Sequence, residues 1–266
     1  MISRFRRLLV DAAVVTTPYG ATECLPVATT TDRDILQRTQ ALTDAGQGVC
    51  VGRELSGVRV DVIAIDDAAV PRWQDARPVD VGVVGELVVA GDRVTLRYDG
   101  DNRQTALAKI IDDRTTPPTT WHRLGDVGYR DDDGALWYCG RKSQRVRLLA
   151  TSTTNTGRRG VCFDDVAFTE TVEGVFLAHP EVRRAALVGV PRPDGSQRAI
   201  LCIEPWRFPW PWEKAALTSS VTSLAQLHPH TRCVEAVLLH RSFPVDIRHN
   251  SKIFRERLAL WAAGRV

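Results

Sequence analysis

Two short segments at opposite ends of the chain carry the side chains best suited to chemistry on a phosphorylated substrate. Tyr19-Gly20-Ala21-Thr22-Glu23 sets a hydroxyl and a carboxylate side by side behind a glycine. Thr22 can contact a phosphate oxygen, Glu23 offers the hard oxygen ligand that Mg²⁺ prefers, and Gly20 lets the backbone come close. Near the other end, Asp246-Ile247-Arg248-His249-Asn250-Ser251-Lys252-Ile253-Phe254 presents Lys252, which shares the chain with only Lys109, Lys142 and Lys214. Its ammonium is a compact point charge on a flexible stem. Each segment also has an ordinary reading: the pentapeptide fits a strand-to-helix turn with Thr22 as cap, and Lys252 fits a solvated charge ahead of a helix.

Two further candidates lie between them. In Trp121-His122-Arg123-Leu124-Gly125-Asp126-Val127-Gly128 an aspartate follows a glycine at the end of an expected strand, where it can accept hydrogen bonds from a vicinal diol such as a ribose, or simply form a turn. Gly140-Arg141 follows the expected Trp137-Tyr138 strand, and the guanidinium fork can hold ribose or phosphate oxygens. Other features read more plainly. His228 and His230 lack a third ligand nearby and suggest a loop, and His249 is expected on the surface. Trp206, Trp210 and Trp212 alternate with prolines and are expected to cover the core of a small domain rather than to stack bases.

These residues need a scaffold, and the local patterns supply one. Residues 1–10 predict a helix leading to a strand near Val14-Val15, since the apolar part is too short, with Asp11 behind it, for a secretory signal. From Val79 to Tyr98, β-branched residues flank Gly91-Asp92 and predict strand, turn, strand. Tyr129-Arg130 passes through Asp131-Asp132-Asp133-Gly134 into Ala135-Leu136-Trp137-Tyr138, a second hairpin signal. Thr151 to Gly157 is polar and without periodicity, as a linker is. Beyond it, Val172, Val175 and Phe176 share a helical face, as do Leu217, Val221 and Leu224. Ala185–Val190, Ile200–Glu204 and Val234–Leu239 read as strands, and Phe254, Leu258 and Trp261 mark a closing helix with Lys252 at its entrance. The expectation is a mixed α/β and α+β chain: a β-rich region 1–140, a hinge and linker 141–165, and a small α+β domain 166–266.

Composition excludes several classes. Hydrophobic residues make up 44% of 266, enough for a real core. The 35 basic and 32 acidic side chains leave a net charge of +3, which is no field for drawing a protein onto nucleic acid. No apolar run approaches the roughly 20 residues that span a bilayer. Six scattered cysteines without a Cys-x-x-Cys pair suggest reduced thiols and a cytoplasmic location.

The order of motifs is more telling than any one of them. Tyr-Gly-x-Thr-Glu, then Gly-Glu-Leu and a turn, then Gly-Asp, Gly-Arg and a lysine before the last helix resembles the adenylate-forming superfamily of acyl-CoA synthetases, adenylation domains and luciferases, over almost the whole chain. More narrowly, the segments 17–28 and 246–255, with Gly140-Arg141-Lys142-Ser143-Gln144-Arg145-Val146-Arg147 and Phe168-Thr169-Glu170, look like those of bacterial olefin β-lactone synthetases. The resemblance implies the C-terminal part of the large nucleotide-binding domain followed by a lid domain.

It further implies ATP and Mg²⁺, with Thr22 at the α-phosphate, Glu23 on Mg²⁺, Asp126 on the ribose, Arg141 on the nucleotide beside Tyr19 and Gly20, and Lys252 carried in by the lid. The implied substrate is a 3-hydroxy fatty acid, adenylated and then closed to a β-lactone, with partner enzymes of a hydrocarbon pathway. An acyl-CoA synthetase fragment or a noncatalytic nucleotide-binding remnant are the alternatives. The family's glycine- and serine/threonine-rich phosphate loop has no counterpart in the eighteen residues before Tyr19, so the chain reads as the C-terminal half of a longer enzyme, weak or inactive alone. Ser143 stands where the family places a hinge aspartate, and 148–165 is longer than usual.

Overall fold

The computed structural model describes residues 2–149, 165–246 and 252–266. These form two compact units, one of 1–42 and 48–142, the other of 43–47 and 143–266. The expected linker at Thr151–Gly157 lies outside the described residues. Mixed α/β architecture is as the sequence predicts.

The first unit is built on eight strands. They are β1 (Thr16–Ala21), β2 (Cys24–Thr31), β3 (Val49–Glu54), β4 (Val58–Ile63), β5 (Gly85–Gly91), β6 (Lys109–Asp112), β7 (Thr119–Arg130) and β8 (Leu136–Arg141). Their order is β1-β2-β3-β8-β7-β5-β4, with β6 on β7, and every pairing is antiparallel. Short helices α1 (Ile2–Arg6), α2 (Asp32–Asp34), α3 (Gln40–Asp44) and α4 (Asn102–Ala108) fill the connections. Strand β5 is buried on both faces: Leu87 and Val89 join one apolar cluster, Val88 and Ala90 another. A strand covered on both sides loses polar alternation, which is why Leu87-Val88-Val89-Ala90 reads as a continuous apolar run.

Three sequence expectations are corrected here. Gly91-Asp92 does not lead into a return strand. Both edges of β5 are already taken by β4 and β7, so the chain after Gly91 has no ladder to join and crosses instead to the β1–β2 hairpin, where Thr95 N–H donates to Glu23 O (2.9 Å). Thr22 does not cap a helix; Thr22-Glu23 is the turn of that hairpin. Asp126 does not end a strand but lies within twelve-residue β7, inside the bulge between Arg123 and Val127 that faces Glu86–Val88. Gly125 there adopts φ +67°, the left-handed conformation open to glycine, and so re-aims the aspartate. The hairpin of β7 and β8 across Asp131–Gly134 is found as expected.

In the second unit, β9 (Val146–Arg147) pairs with β10 (Val166–Ala167), and β11 (Val182–Pro191), β12 (Gln197–Pro205) and β13 (Val234–Leu239) form a separate sheet. Strand β12 runs antiparallel to β11 and parallel to β13. Helices α5 (Thr169–Leu177) and α6 (Lys214–Leu227) bury Val172, Val175, Phe176, Leu217 and Val221 with Leu187 and Leu201 on one face. Helix α7 (Arg255–Ala263) sets Leu258 and Ala262 against Ala186, Val188 and Ile200 on the other. The expected helical faces are therefore real core faces. The tryptophans are not: Trp206, Trp210 and Trp212 remain 67%, 59% and 74% exposed. Beyond the end of β12 at Pro205, Pro209 and Pro211 deny this segment both helix and ladder, so its rings turn outward instead of packing on the sheet.

Candidate functional site

A cavity of about 650 Å³ opens in the first unit. The β1–β2 hairpin supplies Gly20, Thr22 and Glu23 to its wall, β7 supplies His122 and Arg123, the end of β8 supplies Arg141 and Lys142, and Tyr98 comes from the crossing segment after β5. The hairpin can turn this tightly because its first strand carries glycine: a Cβ on Gly20 would lie 2.5 Å from the Cys24 carbonyl oxygen.

Glu23 is held from two sides. Tyr98 Oη donates to Glu23 Oε1 at 2.6 Å, and His122 Nε2 stands 3.9 Å from Oε2. Burial alone would push the carboxyl upward, but the Tyr98 hydroxyl, a backbone N–H and the neighbouring His122 and Lys109 outweigh it and hold Glu23 below the usual range. It is an ionised carboxylate on the cavity wall. Lys109, buried, donates to Thr95 Oγ1 at 3.1 Å and to the Thr95 carbonyl oxygen.

Asp126 and Arg141 face each other as register partners across β7 and β8. Tyr19 Oη donates to Asp126 Oδ2 at 2.7 Å, and Arg141 Nη1 lies 2.9 Å from Oδ1. That second contact is Coulombic without hydrogen-bond alignment, since Oδ1 has no hydrogen-bond partner while Arg141 Nη1 donates to Leu124 O at 3.1 Å. Oδ1 is buried beside the guanidinium. Burial raises the Asp126 carboxyl against the lowering pull of Arg141 and the Tyr19 hydrogen bond, and lifts the Tyr19 phenol well above its ordinary value.

Below them, fully buried Glu86 receives Arg123 Nη2 at 2.6 Å and Nε at 3.2 Å, with Lys142 Nζ 3.0 Å away. Arg123 also donates to the carbonyl oxygens of Ala68 and Leu107. A buried carboxylate is tolerable only with this degree of pairing.

His122 is 2% exposed, and burial together with Lys109 pushes it down to about 4. Free imidazole titrates near 6.5, so the unfolded chain binds more protons than the folded one between those values. The stabilisation from keeping this ring neutral is complete above pH 6.5 and is lost as pH falls towards 4. The stability advantage of the parent over His122→Asn is accordingly expected to shrink by about 2 kcal/mol from pH 7.5 to pH 5. Amide hydrogen exchange in β7 at the two pH values checks this; an unchanged gap would contradict it.

The sequence-selected residues divide by location. Gly20, Thr22, Glu23 and Arg141 line the cavity, and Tyr19 and Asp126 sit directly behind its wall. Lys252 belongs to the second unit, exposed, its carbonyl oxygen accepting from the Asp246 N–H at 2.9 Å. His249 lies outside the described residues. Sequence reasoning missed Tyr98, Lys109 and the Glu86–Arg123–Lys142 cluster as members of the site. The available signal was the scarcity of lysine, since Lys109 and Lys142 are half of the lysines in the chain.

The antiparallel sheet with its cavity and the separate three-stranded unit are the fold of adenylate-forming enzymes, and similarity over nearly the whole chain shows that it belongs to that superfamily. Within it, the chain is 44% identical over 264 residues to the olefin β-lactone synthetase of Xanthomonas campestris, and 43% identical over 267 residues to that of Stenotrophomonas maltophilia. These alignments take in 99% and 100% of this chain but 45% of each relative, so the chain spans about half the length of the curated relatives it matches. Among solved structures, the amide bond synthetase McbA of Marinactinospora thermotolerans superposes with a TM-score of 0.67 at 25% identity, covering 93% of this chain and 41% of that one. The o-succinylbenzoate CoA synthetase of Bacillus subtilis, solved with an acyl-adenylate intermediate and also with ATP and magnesium, shares the fold with a TM-score of 0.63 at 17% identity, covering 97% and 43%. No protein-family model matches the chain.

Proposed function

We propose that the chain is the C-terminal portion of an ATP-dependent ligase that adenylates a 3-hydroxy fatty acid and closes it to a β-lactone. The observation that carries this reading is the convergence of Thr22, Glu23 and Arg141 on one cavity backed by Asp126. Similarity to two β-lactone synthetases across the full chain supports it.

In the first step a substrate carboxylate oxygen bonds to the α-phosphorus of ATP and the bond to pyrophosphate breaks. Thr22 is assigned to the α-phosphate and Asp126 to the ribose diol, with Tyr19 fixing the carboxylate and Arg141 holding nucleotide oxygens. Glu23 is the residue suited to Mg²⁺: it is ionised and braced by Tyr98, and a single carboxylate with phosphate and water ligands is how this ion is commonly held. When bound, the ion supplies charge neutralisation on the phosphates. Lys252 is assigned to the charge that builds as pyrophosphate leaves. In the second step the substrate's own hydroxyl oxygen bonds to the acyl carbon, loses its proton, and AMP departs. Carrying nucleophile and electrophile in one molecule removes any need for an external thiol. Segment 141–165 is the proposed hinge.

Binding tests the nucleotide role on the chain itself. Calorimetry with AMP is expected to show binding that Asp126→Ala weakens roughly 10–100-fold, the cost of losing charge-assisted hydrogen bonds. Equal affinity in the variant would remove Asp126 from the site. For the full reaction, products formed with and without CoA by a chain extended to the length of its relatives separate lactone closure from thioester formation.

A further inference from the structure

The outward-turned tryptophans of the second unit form a defined surface, and neither the fold nor the nucleotide cavity uses it. Trp210 and Trp212 stack with centroids 5.5 Å apart and planes 3° from parallel. Their turn is held rigidly: Trp210 N–H donates to Glu213 Oε2 at 2.7 Å, Glu213 N–H returns to Trp210 O at 2.9 Å, and Arg207 grips the same carboxylate at 2.8 and 3.0 Å. Trp206 N–H is tied to Glu181 O at 3.0 Å. Rings that keep 59–74% exposure on so fixed a turn project from the surface; they cannot be the floor of a groove.

Cations surround them. Arg241 and Lys214 lie 4.6 and 5.3 Å from the Phe208 ring centroid, and Arg183 lies 5.9 Å from that of Trp206. Arg183 is paired with buried Glu204 at 3.0 Å and Arg207 with Glu213 at 2.8 Å, whereas Lys214 and Arg241, both on Phe208, have no carboxylate within 4 Å among the described residues. The surface is thus aromatic at its centre and positive at its rim. Indole combines a broad apolar body with one N–H donor and prefers the headgroup level of bilayers, and lysine and arginine near such a surface each draw anionic lipid.

We infer that the Trp206–Trp212 turn is an interfacial anchor that binds this unit to an anionic lipid bilayer surface. The projecting shape suits a deformable plane better than a protein pocket, and the charge excess complements phosphate headgroups. Such a contact would place an acyl-processing enzyme where poorly soluble acyl chains partition, but it stands on the patch alone and holds or fails independently of the β-lactone reading.

Co-sedimentation of the 266-residue chain with lipid vesicles tests it. Vesicles of phosphatidylcholine containing one third phosphatidylglycerol are expected to bind the chain, with a blue shift in tryptophan emission, whereas pure phosphatidylcholine binds it far more weakly. Lys214→Ser with Arg241→Ser is expected to weaken binding on the order of tenfold, and raised salt to do the same. Trp206→Ser, Trp210→Ser and Trp212→Ser together are expected to abolish it; these exposed positions leave the core intact, which circular dichroism verifies. Failure of the parent chain to bind either vesicle overturns the inference, as does undiminished binding by the triple variant. Self-association through the patch without vesicle binding, seen by sedimentation velocity, would also overturn it in favour of a second copy of the chain.

Discussion

Lys252→Ala, made in a chain extended to the full length of its relatives, is expected to slow pyrophosphate release by about 10²–10³-fold while leaving AMP affinity nearly unchanged. The magnitude is that of losing one preorganised charge aimed at a developing anion. The separation from binding follows from location, because Lys252 belongs to the second unit and the residues proposed to hold the nucleotide belong to the first. Lys252 is solvent-exposed, so its removal costs no core packing and a fall in rate cannot be traced to unfolding. The assay is release of pyrophosphate on mixing with ATP and a 3-hydroxy fatty acid. An undiminished rate would withdraw the catalytic assignment and return Lys252 to the role of a solvated charge.

The largest effect on stability is expected at Arg123. It is 4% exposed and pairs with Glu86 Oε2, in a wholly buried carboxylate, while also donating to the carbonyl oxygens of Ala68 and of Leu107 in α4. Arg123→Leu keeps the volume apolar but leaves a buried carboxylate with Lys142 alone, a loss of about 3–5 kcal/mol. Because the chain has two units, a single unfolding transition would blur the result. Native-state hydrogen exchange at β5 and β7 amides reads the first unit selectively. A loss below about 1 kcal/mol would mean that water or relaxation compensates Glu86, and that the cluster is not the structural floor of the cavity.

Legibility in the sequence followed the range of the interactions. In the second unit, strands and helices were readable because each buries one face on a sheet within the same stretch of chain: Val172, Val175 and Phe176 recur at helical spacing, and Val234–Leu239 is a strand with the expected bounds. The hairpin of β7 and β8 was readable from its Asp-Asp-Asp-Gly turn. The return strand after Gly91 was not, since turn residues report a change of direction and say nothing about whether a strand edge is free. The tryptophans misled for a related reason. Aromatic content predicts burial on average, yet the prolines beside them and the rim formed by Arg183, Lys214 and Arg241 reverse it here.

What the amino-acid order by itself determined is the set of chemical groups and their local frames. Gly20 permits the tight hairpin, Thr22 and Glu23 share its turn, Gly125 aims Asp126, and Phe254–Trp261 writes the closing helix. Only the tertiary structure decided which groups meet. Tyr98 reaches Glu23 across 75 residues, Tyr19 reaches Asp126 across 107, and Arg141 faces Asp126 because of strand register. The reason is physical: hydrophobic periodicity specifies which face of each strand is buried, whereas the pairing of charged and hydroxyl groups depends on sheet order and on a bulge, and these are settled by the packing of the whole unit.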